Sequence, residues 1–93
     1  MARYRIKALP AAEQDIADLP EPARSRIIRA INMLADNPRP AGVRKLDGCK
    51  NLFRLRVGQY RVAFEIQDKI LLVLVAAAGN RDKIYKLLKR RKT

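Results

Sequence analysis

LFRLRVGQYRVAFEI, residues 52–66, is the stretch on which the fold turns. Phe53, Leu55 and Val57 alternate with Arg54 and Arg56, the two-residue period of a strand with one buried face. Gly58-Gln59 then breaks the pattern, with glycine at the first central position, where a type II′ hairpin turn needs a positive φ. Tyr60, Val62, Phe64 and Ile66 resume the apolar alternation. If Gly58 and Gln59 are the whole loop, the register follows: Val57 faces Tyr60, Arg56 faces Arg61, and Arg54 faces Ala63. Successive side chains point to opposite faces, so Arg54, Arg56 and Arg61 leave the sheet on the same side.

Downstream of the hairpin, Asp68-Lys69 predicts a tight turn. Ile70 to Ala78 is almost continuously apolar, as in a strand covered on both faces. Gly79-Asn80 ends it, and Ile84, Leu87 and Leu88 have the spacing of a short helix. Upstream, Asn37-Pro38-Arg39-Pro40 marks a loop. Before it, Ala23, Ile27, Ala30, Ile31 and Leu34 form one apolar helical stripe, with Arg24, Arg29 and Asn32 on the other face. Pro20-Glu21-Pro22 makes a corner, and Ala12, Ile16 and Leu19 place an earlier helix from Pro10. Arg3 to Leu9 reads as a first strand, with Tyr4, Ile6 and Ala8 on one face. The predicted class is α+β: one domain over residues 1–93, in the order β-α-α-β-β-β-α. A helical hairpin and a C-terminal helix would pack on a mainly antiparallel four-stranded sheet. No internal repeat or low-complexity linker interrupts it; the basic tail Lys89 to Lys92 comes nearest.

The chain has 93 residues and a formal charge of +12. Residues 1–38 hold six Lys/Arg against five Asp/Glu, whereas residues 39–93 hold fifteen against four. Positive charge so concentrated gathers polyanions, nucleic acid above all, although a merely soluble basic surface would have the same composition. Cys49 stands alone and cannot form an internal disulfide, which points to a reducing compartment, the cytoplasm. Charges at Arg3, Arg5 and Lys7 argue against a signal peptide, and the apolar run Ile70 to Gly79 is too short to span a bilayer. With no histidine, one cysteine and scattered acids, neither a metal site nor a cofactor is expected.

Arginine opposite arginine in a hairpin costs roughly 0.2–1 kcal/mol. Such an arrangement becomes useful when the counter-charge arrives with a ligand, and guanidinium forks match phosphate oxygens bidentately. A solvated basic face, partly neutralised by Glu65 on the same side, is the other reading. Arg81 follows the apolar strand, and Tyr85 lies one helical turn later on the same side. A core tyrosine beside Ile84 and Leu88 fits that spacing equally well. Without histidine, imidazole acid–base chemistry is excluded, and without clustered carboxylates a metal-dependent nuclease is disfavoured. What remains is phosphate positioning and charge stabilisation by arginines. The substrate's own 2′-hydroxyl would be the nucleophile, and Tyr85 the available proton acceptor.

The run LPEPARSRIIRAINMLADNPRPAGVRKLDG, then LFRLRVGQYRVAFEI, then AAAGNRDKIY resembles the RelE/ParE toxin superfamily over nearly the whole chain. The combination of a prolyl corner, KLDG, RLRVGQYR and GNRDKIY in that order carries the resemblance, which points to the RelE-like mRNA interferase branch. It implies a ribosome-dependent endoribonuclease that cuts mRNA and is neutralised by a cognate antitoxin, with operator DNA met only through the antitoxin complex. It further implies phosphate and transition-state contacts for Arg61 and Arg81, a general-base role for Tyr85, and RNA contacts for Arg54 and Arg56. Arg44 and Lys45, ahead of the hairpin, complete the RNA-binding candidates. The chain departs from the pattern in having Arg54 and Arg56 where some RelE-like enzymes carry lysine, and Asn80 where many carry histidine. The spacing from Arg81 to Tyr85 also differs from that in some members. The ParE-like alternative is inhibition of DNA gyrase by protein binding, and a third is a regulatory member that only binds its antitoxin.

Overall fold

The computed structural model describes residues 3–46 and 51–91. Cys49, the DG of KLDG, the Leu88 side chain and Lys92 in the basic tail lie outside the described residues. The elements are β1 (Arg5–Ala8), α1 (Pro10–Ala17), α2 (Ala23–Met33), β2 (Arg44–Lys45), β3 (Leu52–Val57), β4 (Tyr60–Gln67), β5 (Leu72–Gly79) and α3 (Arg81–Arg91). The class is α+β, as the residue pattern predicts. The sheet has five strands rather than four, in the order β1-β5-β4-β3-β2. The additional strand is β2, whose two residues are too few to show a period. Only β1 and β5 run parallel; the other neighbours are antiparallel.

The β3–β4 hairpin has the expected register: Val57 opposite Tyr60, Arg56 opposite Arg61, Arg54 opposite Ala63. Gly58 has φ 61°, and Gln59 is not among the positive-φ residues, which is the type II′ pattern. The next connection is longer than the predicted Asp68-Lys69 turn. A 3₁₀ turn spans Asp68–Ile70, and Leu71 takes a left-handed conformation (φ 51°) before β5 begins at Leu72. Ile70 and Leu71 therefore sit outside the strand with exposed side chains.

β5 is covered on both faces, as its composition requires. On one face Ala12 of α1 and Ile27 and Ile31 of α2 meet Val62, Phe64, Ile66, Val73 and Val75. Phe64 is fully buried there, and truncating such a side chain to alanine typically costs about 3–5 kcal/mol. A second apolar cluster joins Leu46, Leu52, Ala63, Ala76 and Ala77 to Ile84 of α3. The two clusters put α3 across the sheet from the α1–α2 hairpin. A bulge lets Ala63 pair with Ala77 while Phe64 pairs with Val75, leaving Ala76 as the extra residue. These alanines let α3 approach closely.

Asn80 starts α3: its Oδ1 accepts the Lys83 backbone N–H at 3.0 Å, an N-cap bond. The Lys83 side chain lies over Gly79, where an added Cβ would come within 3.0 Å of its Cδ. It reaches Asp15 of α1, with Nζ 2.6 Å from Oδ1. The other carboxylate oxygen of Asp15 accepts the Ala78 N–H at 3.2 Å. This largely buried carboxylate ties α1, the end of β5 and α3 together, and so fixes the start of α3 against the sheet. Among the described residues no helix is long and apolar enough to cross a membrane.

Candidate active site

On the α3 face of the sheet, Arg54, Arg61, Arg81, Tyr85, Leu46 and Ile84 line a cleft of about 350 Å³. Each side chain arrives for a local reason. Arg54 and Arg61 share a face because the two-residue turn fixes the hairpin register. Arg81 and Tyr85 are four apart on α3, so they stand one above the other. Leu46 and Ile84 belong to the apolar cluster beneath and give the cleft its non-polar walls.

Arg81 Nη2 donates to Tyr85 Oη at 2.9 Å, and its guanidinium carbon lies 5.1 Å from the ring centroid. Tyr85 is half exposed, so it belongs to the cleft and not to the core, which resolves the ambiguity left by its spacing. The hydrogen bond from Arg81 lowers its pKa first, and the charge of Arg81 adds to it. Partial burial opposes the shift, and Arg61 and Arg54 lower the pKa further from across the cleft. The same contact raises the pKa of Arg81. Among the described residues, ion pairs engage Arg3, Arg24, Arg39 and Lys83. None of them takes Arg54, Arg61 or Arg81. Among the described residues, the cleft therefore holds three guanidinium groups that form no ion pair with a carboxylate, around a tyrosine whose pKa they lower.

The remaining candidates scatter. Arg56 faces Arg61 in the register, but its Nε donates to the Gly58 carbonyl at 3.2 Å, which holds it at the turn outside the cleft lining. Arg44 pairs with Arg54 and so emerges on the same face, at the edge strand. Lys45 pairs with Phe53 and therefore points to the opposite face, on the α1–α2 side. Sequence reasoning missed the walls Leu46 and Ile84 and the Asp15–Lys83 tie. Asn80 between a strand and a helix was a legible capping signal; Asp15 and Lys83, distant in sequence, gave none. Among the described residues no group of three or more His, Cys, Asp or Glu could hold a metal ion.

The family profile described as ParE toxin of type II toxin–antitoxin system, parDE, matches residues 6–85. The chain belongs to this toxin family. A protein of Escherichia coli that carries the name of a RelE-like toxin is 26% identical over 93 residues, covering 96% of this chain and 97% of that one. RelE in the RelE–RelB complex of Pyrococcus horikoshii superposes with a TM-score of 0.75 at 27% identity, covering 87% of this chain and 97% of that one. The isolated RelE toxin of Escherichia coli has the same fold, with a TM-score of 0.73 at 19% identity, covering 97% and 99% of the two chains. The profile bears the ParE name and these relatives bear RelE names, so the toxin sits in the wider RelE/ParE superfamily.

Proposed function

We propose that this toxin is a ribosome-dependent endoribonuclease that cuts mRNA in the cytoplasm and is held inactive by a cognate antitoxin. The observation that carries this reading is the cleft in which Arg54, Arg61 and Arg81 surround Tyr85 with no carboxylate paired to them among the described residues. The arginines bind the scissile phosphate and stabilise the charge that builds on its oxygens in the transition state. Tyr85, as phenolate, takes the proton of the 2′-hydroxyl, and the 2′-oxygen attacks phosphorus. The bond to the 5′-oxygen breaks, leaving a 2′,3′-cyclic phosphate and a 5′-hydroxyl. The leaving oxygen takes its proton from water or from the ribosome, because arginine stays protonated. The ribosome also presents the strand in line, which a shallow cleft on a small sheet does not do alone. An acidic antitoxin segment covers the cleft in the resting complex; the Pyrococcus RelE relative was captured with RelB. Operator DNA is contacted through that complex.

The match to the ParE profile supports a second reading, protein binding to DNA gyrase, which has no use for the cleft. Brief induction without antitoxin, followed by primer extension on a defined mRNA, separates the two. Cleavage within translated codons, lost in Arg81→Ala, is expected. Intact mRNA with arrested growth and DNA-damage signalling would replace the ribonuclease reading with the gyrase one.

A further inference from the structure

The hairpin tip borders a second concavity, distinct from the cleft. It has a volume of about 540 Å³, and its lining includes Glu21, Pro22, Arg26, Arg56, Gly58 and Tyr60. Its charge is positive in effect. Glu21 is already spent: its carboxylate accepts from the Ser25 N–H and hydroxyl and pairs with Arg24 at 3.4 Å. Arg26 and Arg56 are exposed and belong to none of the ion pairs among the described residues. Arg56 joins the two concavities. It is the direct cross-strand neighbour of Arg61 in the cleft, and its bond to the Gly58 carbonyl aims it at the tip. Arg54 and Arg56 are two residues apart on β3, about 6.8 Å along the strand. That separation is close to the step between successive phosphates of an extended single strand.

We infer that the groove between the α1–α2 corner and the hairpin tip is a second RNA subsite. It receives a nucleotide flanking the scissile one, with its phosphate on Arg56 and Arg26 and its base against Tyr60. The inference rests on the reading of the cleft as an RNA site. A cationic groove with an aromatic wall is the usual construction for holding single strands without sequence preference. Recognition by two linked subsites makes affinity depend on strand length, which a single cleft does not.

Fluorescence anisotropy with 2′-O-methyl oligouridylates, which lack the nucleophile, tests this on the intact chain. The wild type is expected to bind an octamer at least ten-fold tighter than a dimer. Arg26→Ala and, separately, Tyr60→Leu should each weaken the octamer roughly three- to ten-fold and leave the dimer unchanged. Arg26→Ala should also flatten the salt dependence of octamer binding by about 0.7 in log–log slope, whereas Tyr60→Leu should not. Arg61→Ala should weaken both oligomers. Wild-type binding without preference for length, or equal losses for dimer and octamer in the groove variants, overturns the subsite and leaves the cleft reading standing. Unchanged RNA binding with a loosened antitoxin in Arg26→Ala also overturns it, and makes the groove a protein-docking surface. Failure of the wild type to bind either oligomer at low salt overturns the subsite, whereas the cleft reading falls only if primer extension finds the mRNA intact.

Discussion

Tyr85 and Tyr4 each stand close to an arginine, yet their hydroxyls are displaced in opposite directions. Tyr85 accepts a hydrogen bond from Arg81, and its pKa is lowered. Tyr4 donates to Asp68 Oδ1 at 2.5 Å, and that bond raises its pKa above the ordinary value. Arg39 completes the second cluster, with Nη1 and Nη2 at 3.1 and 2.8 Å from the two carboxylate oxygens of Asp68, and lies over the Phe53 ring. The difference is one carboxylate. With Asp68 present, arginine and tyrosine satisfy each other's surroundings and form a lock between the start of the chain, the loop after α2 and the turn before β5. In the cleft, where no ion pair among the described residues takes Arg81, its guanidinium donates to the tyrosine instead, beside Arg54 and Arg61.

The largest effect that would break this comparison is the reversal of roles between Arg81 and Arg39. Arg81→Ala should lower the single-turnover cleavage rate on programmed ribosomes by about 10²–10³-fold, the usual loss for one preorganised donor to a transition-state oxyanion. Its urea midpoint should stay within error of the wild type, because Arg81 is exposed. Arg39→Ala should do the reverse, keeping the cleavage rate and lowering the midpoint. Loss of cleavage in a stable Arg39→Ala variant would show that pairing does not separate the two kinds of arginine.

A somewhat smaller effect sharpens the same contrast at the tyrosines. Tyr85→Phe should slow cleavage about 10²-fold, at the lower end for a general base, and Tyr4→Phe should leave the rate unchanged. The proposed base is the Tyr85 phenolate, so on that reading the rate should rise with pH and level off at its pKa, below the ordinary 10.0. Ultraviolet titration of the wild type and the two phenylalanine variants should place Tyr85 below 10.0 and Tyr4 above it. Replacing Arg81 with alanine should move the low one back up, because that arginine is the chief cause of its shift. A Tyr85 that titrates no earlier than Tyr4 would remove the basis for its role as base.

Most of the cleft was legible before any coordinates, and the lock was not. The hairpin register depends on one glycine and a two-residue period, and these local signals were enough to put Arg54 and Arg61 on one face. A four-residue helical spacing similarly joined Arg81 to Tyr85. Whether Tyr85 faced core or solvent depended on where α3 docks, and that is decided by Ala63, Ala76 and Ala77 on strands far away in sequence. That Lys45 points away from the cleft was not legible, because β2 is two residues long and shows its parity only through its pairing with Phe53. Arg56 was drawn aside by a bond to the turn carbonyl, which alternation does not encode. Asp68 stands 29 residues from Arg39 and 64 from Tyr4, so no local pattern announces that they meet.

The smallest expected effect concerns the lock, and it has a definite sign. Hydrogen bonds from Arg39 and then Tyr4 hold the Asp68 pKa at about 2, below the ordinary 3.8. A carboxyl that is more acidic in the folded state stabilises the fold fully above its unfolded value, and that contribution is lost as the pH falls through the folded one. Tyr4 works in the other sense. Its raised pKa means that its contribution is complete below 10.0 and disappears as the pH rises through the higher folded value. The lock should therefore act at full strength between about pH 4 and 10, with a separate residue responsible for each flank. Urea midpoints measured across pH should fall between 4 and 2 in the wild type, with a part of that fall absent in Asp68→Asn. The alkaline flank should flatten in Tyr4→Phe. Because these groups are exposed, the differences should be small and should shrink in 1 M salt. An acid limb identical in Asp68→Asn and wild type would mean that the carboxylate is bystander to the fold, and the distinction between a lock and a site would then have to rest on Arg39 and Phe53 alone.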